Sequence, residues 1–103
     1  MINEDQIVVI EKRRNDLFKF LEISQKKEKL NFYNNEILKN NFWETPKKAE
    51  KLLKDKKEIE NWVKQFNKLE EKLEEIKILI ELKENNEEIK KKHDEIISLL
   101  ENI

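Results

Sequence analysis

Not one of the 103 residues is glycine, and a single proline, Pro46, is the only other residue that dictates backbone geometry. Tight β-hairpin turns rely on residues that take positive φ freely, and glycine does so without steric penalty. A chain with none is poorly equipped to fold as short strands and sharp reversals, so an all-α fold is expected. Composition points the same way. Charged residues make up 44% of the chain and hydrophobic ones 37%, too little apolar material for a thick core but enough for helices that each bury one stripe. A chain of 103 residues is expected to form one helical domain, 1–103.

The inventory also narrows the chemistry. With no cysteine there is no disulfide framework, thiolate nucleophile or cysteine zinc site. His93 is the sole histidine, which leaves histidine metal clusters and serine-histidine-acid relays unsupplied. The lack of glycine removes the usual phosphate-cradling loops. Glu70-Glu71 and Glu74-Glu75 resemble paired carboxylates, but neighbouring and i+4 acids on a helix are readily solvated and nothing marks them as an acid/base pair. No catalysis and no cofactor are expected.

Location and charge are equally plain. No apolar run approaches the ~18 residues of a membrane span, and Met1-Ile2-Asn3-Glu4-Asp5 does not read as a signal peptide, so a cytoplasmic chain is expected. The 22 basic and 23 acidic residues nearly cancel. Up to Thr45 there are eight of each, and from Pro46 onward fourteen basic against fifteen acidic. Lysines cluster at Lys26-Lys27 with Lys29, Lys47-Lys48, Lys56-Lys57 and Lys90-Lys91-Lys92, yet glutamates interrupt them and solvated helix faces account for such runs. No strong direct nucleic-acid signal emerges.

Periodicity supplies the architecture. Asn3 and Gln6 stand in a capping relation, after which Ile7, Ile10, Leu17 and Leu21 form an apolar stripe interrupted at Arg14. The phase changes near Glu22-Ile23-Ser24, with Ser24 a candidate cap, and Leu30, Tyr33 and Ile37 continue to a stop expected at Asn40-Asn41. This segment is one kinked helix or two shorter ones. Thr45 is a candidate cap and Pro46 fits a first helical position. Phe42 and Trp43 before them are either an exposed recognition wedge or, as expected here, a plug at the junction, in which case Trp43→Ala costs about 3–5 kcal/mol. A long helix from Pro46 to Glu84 then carries Leu52, Ile59, Phe66, Leu73 and Ile80 at intervals of seven, with Trp62, Leu69 and Ile76 three residues after the middle members, an a/d seam. Asn85, three residues before Glu88, marks a new cap, and Ile89, His93, Ile96, Leu100 and Ile103 form a returning stripe. The result is a helical bundle with a long antiparallel, coiled-coil-like hairpin, in which His93 is a structural residue. Such a hairpin could also stand alone as a scaffold or self-association module.

One stretch is more specific. Leu21-Glu22-Ile23, Lys26-Lys27 and Leu30, then Asn41-Phe42-Trp43-Glu44-Thr45-Pro46-Lys47-Lys48-Ala49, then Leu52 through Trp62-Val63 to Ile80-Glu81-Leu82, resemble the N-terminal helical domain of bacterial peptide chain release factor 2. The aromatic-Trp-x-x-Pro-x-x-Ala pattern at Phe42, Trp43, Pro46 and Ala49 is the distinctive part. The family often has Asp where this chain has Glu22, and acidic residues where Glu44-Thr45 stand. The resemblance implies an interaction and positioning domain in translation termination at UGA and UAA codons, with the ribosomal stalk base and the GTP-binding release factor as partners. Neither the codon-reading Ser-Pro-Phe nor the Gly-Gly-Gln loop of the family occurs in the sequence, so these 103 residues alone are expected neither to read codons nor to release peptide.

Overall fold

Asn3 takes extended backbone angles and accepts from the Gln6 amide at 3.1 Å, while the Gln6 side chain accepts from the Asn3 N–H at 2.9 Å. This reciprocal cap satisfies two donors that a helix start otherwise leaves open. Glu4 and Asp5 follow in the first turn of α1 (Glu4–Phe20), where negative charge suits the positive end of the helix dipole. The computed structural model, which describes residues 2–83 and 86–103, continues with α2 (Ile23–Ile37), one 3₁₀ turn (Phe42–Glu44), α3 (Pro46–Glu81) and α4 (Asn86–Asn102). The described residues contain helices and turns and no strand.

The chain divides into two compact units: Met1–Leu21 with Gln65–Ile103, and Glu22–Lys64. In the first, here called the bundle unit, the second half of α3 buries Phe66, Leu69, Leu73 and Ile76, the consecutive a and d positions of the expected seam. α1 contributes Ile7 and Ile10, and α4 contributes Ile89, Ile96 and Leu100; Ile80 is half-buried. Ion pairs fix the directions. Lys72 meets Glu95 at 3.1 Å and Glu75 meets Lys92 at 2.7 Å, so α4 runs antiparallel to α3. Glu11 pairs with Lys77 and Arg14 with Glu70, so α1 is antiparallel to it as well. Leu17 and Phe20 of α1 line a shallow recess with Leu100 of α4, so these two helices are also neighbours.

The second, the junction unit, is thinner. α2 lies against the first half of α3, where Ile59 lines a groove of about 480 Å³ with Gln25, Lys29 and Phe32. Only Ile23, Ala49 and Val63 are buried here. The seam residues Leu52, Ile59 and Trp62 are half-buried, as is Ile80, so the a/d seam is fully interior only from Phe66 to Ile76. The reason lies in the heptad. The d positions at Lys48 and Asp55 are charged, and the inward stripe widens onto the next position, which carries Ala49, Lys56 and Val63.

Three boundaries differ from expectation. The break between α1 and α2 is made by Glu22, which takes φ 52°, ψ 48° and has no side-chain cap bond, while Ser24 lies inside α2. α2 stops at Ile37, not at Asn40-Asn41, through i→i−3 bonds from Leu38 to the Asn35 carbonyl and from Lys39 to that of Glu36. No left-handed asparagine is used: among the described residues the positive-φ positions are Glu22 and Lys83. α3 ends at Glu81, with Lys83 at φ 52° donating to the Ile80 carbonyl. The cap expected from Asn85 lies outside the described residues.

Candidate interaction surface

The junction is built from Pro46 outward. Pro46 opens α3, where its fixed φ and missing N–H do no harm, and it forces an extended conformation on the residue before it. Thr45 accordingly sits at φ −116°, ψ 90°. Its carbonyl accepts from the Ala49 N–H at 3.1 Å, and Ala49 turns inward at 2% exposure. The 3₁₀ turn just upstream is closed by the Glu44 N–H donating to the Asn41 carbonyl at 3.2 Å. Phe42 is half-buried, and Trp43 stands 63% exposed, perpendicular to the Phe42 ring with centroids 4.7 Å apart. Trp43 is therefore not the plug expected from sequence; Phe42 does the partial covering and carries the tryptophan on the surface.

Trp43 has company. Leu38 at the end of α2 is 80% exposed, and Phe32 is also exposed. Lys47, Lys48, Lys51, Lys54 and Lys57 are all exposed along the first three turns of α3. At 100° per residue, Lys47, Lys51 and Lys54 share the side of α3 opposite Ala49 and Val63, together with Glu50. The first turn of α3 has no acidic residue, although the positive end of a helix favours one.

Charge follows the fold rather than the linear halves. The junction unit contains eleven lysines, no arginine and eight acids, a net of +3. The bundle unit balances eleven basic residues against fifteen acids, a net of −4. The basic excess concentrates between Lys39 and Lys57, with seven lysines and three acids. Splitting the sequence at Pro46 hid this because the acidic second half of α3 was averaged with the basic first half.

The other tempting groups are consumed by structure. Glu70 is held by Arg14, whose guanidinium also lies 5.3 Å from the Phe18 ring centroid and 5.5 Å from that of Phe66. Arg14 thus interrupts the α1 stripe yet still packs on the core, its charge facing aromatic π faces and a carboxylate. The hydrogen bond from Lys92 pulls the Glu75 carboxyl below its ordinary 4.5, outweighing partial burial. Lys72 does the same to Glu95, and the bond to Glu75 raises Lys92. These carboxylates tie helices together and are not an acid/base pair. His93 is half-buried, with Nδ1 3.7 Å from Asp94. Among the described residues no cluster of His, Asp and Glu could hold a metal ion, and no helix is long and apolar enough to cross a membrane.

Sequence reasoning weighed the aromatic pair and the lysines separately. The signal it missed was their adjacency, an unburied Trp43 leading directly into five exposed lysines within fourteen residues. No family model, no curated protein and no solved structure matches this chain.

Proposed function

We propose that this chain is a helical interaction domain of the translation-termination machinery, of the kind that begins bacterial peptide chain release factor 2. It would engage the ribosome near the stalk base and the GTP-binding release factor, and position domains that read the codon and release the peptide. The observation that carries the reading is the junction. The residues of the aromatic-Trp-x-x-Pro-x-x-Ala pattern each do a distinct job: Phe42 half-covers the turn, Trp43 is presented to solvent, Pro46 opens α3 and Ala49 packs inward. A pattern in which every member has its own structural task is harder to reach by drift than a run of charged helix.

Co-sedimentation with purified bacterial ribosomes tests this. The chain should pellet with ribosomes, and intact release factor 2 should displace it. A chain that stays in the supernatant at low salt would overturn the proposal. The second reading, a self-association module, is favoured by exposed Val8, Val9, Ile78 and Leu82 in the bundle unit. It predicts an obligate dimer by sedimentation velocity, whereas the domain reading predicts a monomer.

A further inference from the structure

We infer that the surface around Trp43 and the first three turns of α3 is a docking site for an unpaired stretch of RNA. The surface has two components. One is an exposed indole, 63% open to solvent and set perpendicular to the Phe42 ring. The other is the row of exposed lysines at Lys47, Lys48, Lys51, Lys54 and Lys57. The partner must carry negative charge, because this segment is the most basic part of a chain that is otherwise net acidic.

Two kinds of polyanion compete, an acidic protein face and a nucleic acid. Protein interfaces are depleted in lysine and enriched in arginine; arginine's planar fork serves carboxylates and phosphates alike, whereas lysine binds phosphate as a point charge. The junction unit has eleven lysines and no arginine. Lysine is a point charge suited to phosphate, whose placement along a flexible strand varies. A free aromatic ring adds what a carboxylate surface cannot use but a base can, a stacking platform. Stacking needs a base that is not already paired and stacked in a duplex, so the target is single-stranded, a loop or bulge. The choice of RNA over DNA rests on the ribosomal reading above. Leu38, at the end of α2, adds an apolar contact beside the same turn.

Fluorescence anisotropy with a labelled, mixed-sequence RNA of about 12 nucleotides, within the span of one such site, tests the inference on the whole chain. Binding should weaken steeply between about 50 and 200 mM salt. Trp43→Ala should weaken it about 5- to 100-fold. The combined Lys47→Gln, Lys51→Gln and Lys54→Gln variant should flatten the plot of log affinity against log salt by about two, at roughly 0.7 per phosphate contact on a single strand. All four positions are exposed, so circular dichroism should show unchanged helix content. Lys90→Gln with Lys91→Gln on α4 should leave affinity unchanged.

RNA binding that is indifferent to Trp43 would overturn the inference, as would equal binding to poly-glutamate or to the blunt duplex of the same RNA with its complement. Ribosome association without binding of the free RNA removes this inference and leaves the functional reading standing. RNA binding without ribosome association does the reverse, keeping the docking surface and removing the termination role.

Discussion

The two units draw on the same amino acids and reach opposite ends. The bundle unit buries Phe66, Leu69, Leu73 and Ile76 from one helix against apolar residues of two others, and ties the helices with cross-helix ion pairs. The junction unit buries only Ile23, Ala49 and Val63, and leaves Phe32, Leu38, Trp43 and Leu53 exposed. One therefore resembles a core built for stability, the other a surface with just enough core to hold it. Both units leave large apolar side chains in solvent, the bundle unit at Val8, Val9, Phe20, Ile78 and Leu82, so what sets the junction unit apart is its thin interior, where each large side chain that is not fully buried forgoes part of about 1.5–3 kcal/mol.

The contrast can be broken most forcefully at Phe66. Phe66→Ala should destabilise the chain by about 3–5 kcal/mol, read from the urea midpoint, because the ring is 1% exposed and also supports Phe18 and Arg14. A loss below about 1 kcal/mol would mean that the bundle core is not where the stability resides. Next comes Ile23→Ala, fully buried in the thin unit, with an expected loss of about 2–5 kcal/mol. The distinguishing readout is amide exchange. Protection should fall across α2 and the first half of α3 and persist in the second half of α3, as separate cooperative units would require. Uniform loss through the whole chain would show that the two units unfold as one.

Smaller changes sharpen the comparison. Lys47→Glu and Lys48→Glu should each stabilise by about 0.3–1 kcal/mol by matching the start of the α3 dipole, observable as a raised thermal midpoint at low salt. A drop instead would show that those lysines make structural contacts. The ion-paired carboxylates give the bundle unit an acid sensitivity. Glu75 and Glu95 both titrate below their ordinary 4.5 when folded, so their contribution is complete above that value and disappears as the pH falls through their lowered values. Lys92, raised above 10.5, contributes fully below that value and loses its contribution as the pH rises through the raised one. Urea midpoints should decline between about pH 5 and pH 3, and Glu75→Gln should make that decline shallower; identical curves for the two proteins would contradict it. Last and smallest, Trp43→Ala should change stability by no more than about 0.5 kcal/mol, far from the 3–5 kcal/mol that a buried plug demands.

That reversal at Trp43 shows where the sequence was legible and where it was not. The interior of α3 from Phe66 to Ile76 could be read directly, because a strict repeat of apolar residues has one physical meaning when every a and d position obeys it. The seam weakened below Trp62 because charged Lys48 and Asp55 occupy the d positions. Trp43 was misread because size and apolarity argue for burial, whereas its 63% exposure depends on the course of the turn that carries it, which composition does not encode. The breaks at Glu22 and Lys83 were hidden for a related reason. Without glycine, the left-handed positions fall to residues with no preference for them, at about 1–2 kcal/mol each, so no residue type marks the place. The candidate site suffered most, since the two compact units cut the chain at Leu21 and Lys64 rather than at Pro46.

Arg14 has one further consequence. A leucine in its place would extend the oily stripe of α1 without interruption and leave its alignment along α3 to Ile7, Ile10, Phe18 and the Glu11–Lys77 pair. The guanidinium adds a directional constraint, because only one alignment gives it both the Phe66 ring and the Glu70 carboxylate. By forgoing one hydrocarbon contact, the bundle gains a single address for its first helix.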